Sequence, residues 1–211
     1  MRNGSPMVSH SGGGASVQLA SLRTLESRIR EGGDPREVMV ELCERDAPHL
    51  KRLCKRWMRT HAYFLDLTHL YACTVAWASV QAAEYEGEVP IEQWMEDRVQ
   101  NAGNMLLQKD LFAEIGNDPP DEPLLEHHSV LRTLFRLPDS QARKACIILN
   151  NLPDEERHTF YALVIDRRRV AEYAKKTGTP KAKALATLER VLRTIKADVN
   201  RPLDARWRDR E

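Results

Sequence analysis

Aromatic residues are scarce, 6% of the 211 residues. No apolar run approaches the roughly 20 residues that a bilayer-spanning helix needs, so no segment reads as a membrane span. Alternation of apolar and polar residues over a useful length is missing too, and with it the signature of a half-buried strand. The four cysteines, Cys43, Cys54, Cys73 and Cys146, never come as C-x-x-C. That scatter argues against a disulfide framework or a cysteine-based zinc site, and the apolar helical setting of each predicts buried free thiols. Glu126-His127-His128 is the one cluster with metal-ligand chemistry. No second donor pair stands near it, so no metal is expected. No glycine loop has phosphate-cradling spacing, and His49, His61, His69 and His158 have no nucleophile or carboxylate at a catalytic spacing. The chain reads as a binding protein rather than an enzyme, with no cofactor and no small-molecule substrate. Its first residues are rich in Gly and Ser and lack the apolar core of a signal peptide, so 1–16 is expected to be a disordered tail and the protein cytoplasmic.

What the sequence does have is helical periodicity punctuated by proline and glycine. Leu19, Leu22, Leu25 and Ile29 share a face, and Gly32-Gly33 ends that run. Asp34-Pro35 reads as an N-cap with proline at the first helical position. Beyond it Val38, Leu42, Leu50, Leu53, Trp57 and Met58 continue an apolar stripe, in which Pro48 marks a kink or a fresh start. Helices are predicted over 64–83 and 91–108, the second burying Ile91, Trp94, Met95, Val99, Ala102 and Leu106. Then Pro119, Pro120 and Pro123 break the pattern within a polar stretch. They mark a linker, expected over 111–138 with room for a short helix in 124–137. Pro138 and Pro153 open two more helices, each followed by acids that suit the positive end of a helix dipole. The second should carry Phe160, Tyr161, Val164 and Ile165 inward. A shorter helix is predicted over 168–176. The last, over 181–199, has Ala184, Leu185, Leu188, Val191, Leu192 and Ile195 as its apolar side. The expected fold is all-α: two small helical domains, 17–110 and 139–199, joined by a flexible linker, with a tail over 200–211.

The formal charge of +1 hides an asymmetry. Residues 34–110 carry 9 Lys/Arg against 13 Asp/Glu, whereas 150–201 carry 12 against 7. The basic half is therefore the better candidate for touching phosphate. Within it, 168–195 has the grammar of a helix-turn-helix. Ala174 is small enough for close crossing, Gly178 turns the chain four residues later, and Ala184 and Leu188 anchor the second helix. Lys181, Lys183, Thr187 and Arg190 are then expected on or near the free face that would enter a groove. Arg168, Lys175 and Lys176, with Arg167 and Arg169, would hold flanking phosphates.

These residues also carry a family resemblance. The stretch from Arg28 to Leu53, RIREGGDPREVMVELCERDAPHLKRL, resembles the opening of region 2 of extracytoplasmic-function sigma factors of bacterial RNA polymerase. There a "gly-asp" turn precedes a helix ending "arg-x-x-pro-x-leu". Gly87-Glu88 ahead of Trp94-Met95, Val99 and Asn101 is similar to a second region 2 motif. Leu152-Pro153, Arg157, Phe160, Ala174, Gly178, Ala184 and Leu188 match the region 4 pattern without a gap. The resemblance covers roughly 25–199 and is carried by the colinear set. It implies that region 2 docks on the core polymerase and opens the −10 element, that region 4 reads the −35 element, and that an anti-sigma protein silences both. By position it implies polymerase docking by Asp66, His69 and Leu70. It likewise implies −10 contacts by Tyr85, Glu86, Gly87, Arg98 and Asn101, and −35 reading by Lys181, Lys183, Thr187 and Arg190.

Two departures stand out. The docking motif of the family, "asp-leu-val-gln-glu-thr", is here His69-Leu70-Tyr71-Ala72-Cys73-Thr74, with both acids gone. The helix after the −10 loop, arginine-rich in the family, here has Glu92, Glu96 and Asp97 against Arg98 alone. Acids beside a DNA strand repel phosphate. Two rivals therefore stand beside a promoter-recognition subunit: a sigma-like regulator whose work is protein binding, as a decoy or adaptor, and a stand-alone helix-turn-helix regulator.

Overall fold

Proline and N-cap positions set where the helices begin. In a computed structural model of the chain, which describes residues 25, 27–87, 89–112 and 127–200, every regular element is helical. Asp34 caps α1 (Pro35–Arg45) by accepting from the Arg36 N–H. At Pro48 the outcome is a fresh start: α1 ends at Arg45 and α2 runs Ala47–His61. Asp66 caps α3 (Leu67–Val80) through the His69 N–H. A 3-10 turn, Ala82–Glu84, and the loop after it lead to α4 (Ile91–Phe112). Helices α1–α4 enclose a first core that includes Leu25, Met39, Leu53, Cys54, Leu70, Val99 and Ala102. Thr74, wholly buried there, donates to the Leu70 carbonyl and stands beside the Cys54 thiol.

The second half comprises α5 (His128–Phe135), α6 (Asp139–Asn150), α7 (Asp154–Phe160, continued by a π turn over Tyr161–Ile165), α8 (Val170–Thr177) and α9 (Lys181–Asp198). Its core gathers Leu131, Ala145, Ile148, Leu149, Phe160, Val191 and Ile195. Helix α5 lies within the stretch expected as linker, yet its Leu131 is fully buried in this core. Residues 113–126, where the three prolines fall, lie outside the described residues. So do residues 1–24, which hold the expected first tail with Leu19 and Leu22, and residues 201–211, which make up nearly all of the expected last one.

The halves are joined by packing as well as by chain. Ala62 takes a left-handed backbone (φ 55°) at the end of α2, which turns the chain outward. The next residues then insert Phe64 into the second core, edge-on to Phe160 at 6.0 Å and tilted to Tyr161 at 5.5 Å. Asn150, buried at the end of α6, brackets the Phe64 backbone. Its Oδ1 accepts from the Phe64 N–H at 2.7 Å and its amide donates to the Phe64 carbonyl at 3.2 Å. Arg157, only 4% exposed, donates to the carbonyls of His61, Asn150 and Leu152 while its guanidinium lies 4.3 Å over the Tyr63 ring. A buried cation persists only when satisfied in this way. The His158 ring bridges the Asp154 and Thr60 carbonyls, and Arg59 pairs with Asp166 at 3.0 Å.

Candidate nucleic-acid interface

Helices α8 and α9 form the expected pair of helices around a glycine turn. Gly178 adopts φ 70° at the end of α8, a conformation that costs glycine little. Helix α8 buries a single residue, Tyr173, whose hydroxyl meets that of Thr159 on α7 at 2.9 Å. Ala184, Val191 and Ile195 anchor α9. Its anchor is chiefly α7, and α8 packs beside it.

The side chains expected on the groove-facing surface are placed unevenly. Lys181 is exposed. Lys183 is exposed but pairs with Glu155 of α7 at 2.7 Å, and this contact holds the Glu155 carboxyl below its ordinary range. Arg190 pairs with Glu156 at 2.8 Å. Thr187 departs from the expectation: it is 3% exposed and faces inward. Counting three and four residues from the buried Ala184, Thr187 falls on the buried stripe, so the free face was drawn about one position too wide. Leu185 departs the other way, 46% exposed rather than on the apolar side. The outward stripe is Ala182, Leu185, Ala186, Glu189 and Arg193. Lys175 and Lys176 are exposed at the end of α8, and Arg168 pairs with Asp166 at 3.0 Å.

In the first half the residues expected at the −10 element do not cluster on one open surface. Tyr85 is 9% exposed, tilted against Trp94 at 5.3 Å, and its hydroxyl donates to the Val89 carbonyl. Arg98 lies 4.6 Å over Trp94 and donates to Gln81. Glu86, Gly87 and Asn101 are exposed. Of the docking trio, His69 is exposed and Asp66 half-buried, whereas Leu70 is fully buried in the first core and has no surface to offer a partner.

One feature escaped the sequence reading altogether. Helix α2 contains no acid and presents Lys51, Arg52, Lys55, Arg56 and Arg59 on its exposed side. The signal was available in their spacing of three and four residues, but counting charge over 34–110 averaged it away. Among the described residues no group of three or more His, Cys, Asp or Glu side chains is placed to hold a metal. No helix there is long and apolar enough to cross a membrane. No protein-family model matches the chain, and no curated protein matches it.

Proposed function

We propose that the chain is a divergent promoter-recognition subunit of the sigma type, which binds core RNA polymerase, directs it to promoter DNA and is held in check by an inhibitory protein. The observation that carries this reading is the α8–Gly178–α9 pair, with Lys175, Lys176 and Lys181 exposed around the turn. A helix offered at such a turn fits the major groove, and cations around it meet phosphate. The colinear resemblance of the first half supplies the polymerase partner. Lys183 and Arg190 bear on DNA by exchanging Glu155 and Glu156 for phosphate; the exposed Lys183–Glu155 pair gives way readily, whereas Arg190 leaves a Glu156 whose side chain is only 16% exposed.

A second reading rests on a specific observation. Helix α3 carries no Asp, Glu, Lys or Arg, and Thr68, Ala72, Ala76 and Val80 on it are exposed. Such an uncharged surface suits a sigma-like regulator that works by binding protein. Co-purification with core polymerase separates the two, since a promoter-recognition subunit forms a stable complex and a decoy or adaptor does not. A stand-alone regulator would instead bind duplex DNA tightly without polymerase. For the leading reading, replacing Lys183 and Arg190 together by Ala is expected to abolish transcription from a dependent promoter while leaving the circular dichroism spectrum unchanged. Full promoter activity in that double variant refutes α9 as the reading helix.

A further inference from the structure

Between α2 and the α7–α8 turn lies an open cleft of about 700 Å³ to which both halves contribute. Lys55, Arg56 and Arg59 form its α2 wall, and Arg168 and Lys176 face them from the other half. One acid, Asp166, stands among these five cations, and its side chain is only 14% exposed. Its two carboxylate oxygens are divided: Oδ1 takes the Arg59 guanidinium and Oδ2 that of Arg168, each at 3.0 Å. Each guanidinium therefore commits one nitrogen to Asp166 and keeps further N–H donors. Arg56 is tied on its far side to Glu92 and Glu96 of α4. Lys176 is exposed and enters no hydrogen bond or ion pair among the described residues.

With Arg56 held by Glu92 and Glu96, Arg59 and Arg168 still share the single carboxylate of Asp166 and Lys176 adds a further positive charge, an excess that an entering anion would offset. We propose that this cleft binds an anion carrying two or more phosphate groups. Two guanidinium forks set on either side of a fixed carboxylate favour tetrahedral, multiply charged oxyanions over single carboxylates, because each fork can present paired N–H donors. The volume is in the range of small-ligand sites, about 300–1,000 Å³. Ala162, with the edges of the mostly buried Tyr161 and Tyr173, adds an apolar side against which the nucleoside of a nucleotide would rest. A bound polyphosphate would bridge α2 to the α7–α8 turn and so tighten the contact between the halves. The site is independent of the promoter reading and is measured without DNA or polymerase. It also departs from the sequence expectation that no small molecule is bound.

The test is calorimetric titration of the full chain with sodium tripolyphosphate and, separately, with ATP. Saturable binding of one tripolyphosphate per chain is expected. It should weaken about tenfold or more when Arg59 and Arg168 are both changed to Ala, since charge-assisted hydrogen bonds are lost. Arg193→Ala, on the outward stripe of α9, leaves affinity unchanged. Should the double variant not fold, Lys176→Ala carries the test, because that side chain holds nothing in place. Equal affinity for the two probes identifies inorganic polyphosphate as the ligand, and tighter binding of ATP identifies a nucleotide. Absence of saturable binding by both probes overturns the proposal, as does tripolyphosphate binding that survives both the double variant and Lys176→Ala.

Discussion

At the scale of single residues the structure separates groups that are chemically alike by what surrounds them. Cys43 and Cys54 sit in the first core, where burial pushes the thiols up to about 12 and about 11. Cys146 is buried in the second core, and only Cys73 is partly open. Because the thiolate is the reacting species, a disulfide reagent at neutral pH is expected to modify Cys73 first. The other three should react only on unfolding, and mass spectrometry of partly labelled protein would locate the label. Rapid labelling of Cys43 in the native chain would contradict its placement. The same burial gives a pH dependence of definite sign. Below the ordinary thiol value of 9.0 both folded and unfolded chains are protonated at Cys43 and its contribution is intact. As pH rises from there towards 12 the unfolded chain ionises while the folded chain does not, so stability falls. Glu155 runs the other way. Lys183 holds its carboxyl below the ordinary range, so the contribution is present at neutral pH and fades as the solution is acidified through the lowered value. The exposure of this pair keeps that contribution small.

At the scale of elements the clearest dependence on one position is the turn between α8 and α9. Gly178 at φ 70° has open space around a would-be Cβ, so a substitution there meets no clash but keeps the backbone penalty. Gly178→Val is expected to cost about 1–2 kcal/mol, read as a lowered midpoint of chemical denaturation. A neutral result would mean that the turn relaxes into another conformation. This turn was legible in the sequence, as were the starts of α1, α7 and α9, because proline, glycine and N-cap residues act locally. The helical period likewise placed Trp94, Val99, Ala102, Phe160, Val191 and Ile195 in the cores. What was not legible depended on which neighbour each helix meets. Thr187, three residues on from the buried Ala184, is placed inside by the helical period alone, whereas the outward place of Leu185 depends on how α9 packs on α7 and α8. Lys183 and Arg190 looked free along the chain. Their partners, Glu155 and Glu156, lie about thirty residues away in sequence and become neighbours only when α7 packs on α9. Leu70 was assigned a docking role from its place in a motif, while its helical position put it in the first core.

At the scale of the molecule the sequence suggested two modules on a proline-broken tether, and proline does not reveal what the modules do to each other. The halves meet through Phe64, whose ring belongs to the second core while its chain belongs to the first half. Nothing around Phe64 announced this: an aromatic residue just ahead of a helix reads as part of that helix's own face. The contact with Asn150 is demanding, since removing that amide strands the Phe64 N–H and carbonyl in a buried place. Such a loss costs about 1–3 kcal/mol. Truncating Phe64 to Ala removes a fully packed ring, at about 3–5 kcal/mol. Both are large against the roughly 5–15 kcal/mol that holds a typical domain together. Modules on a flexible tether would unfold independently; halves joined at Phe64 should unfold together. Three of the four tryptophans, Trp57, Trp77 and Trp94, lie in the first half and Trp207 lies outside the described residues, so tryptophan fluorescence follows mainly the first half, while far-ultraviolet circular dichroism follows the helices of both. The two signals are therefore expected to coincide in a urea titration of the native chain and to separate in Phe64→Ala, with the second half unfolding first because it loses the ring from its core. Separate transitions in the native chain would show that the contact at Phe64 contributes little and that the halves are coupled by the chain alone.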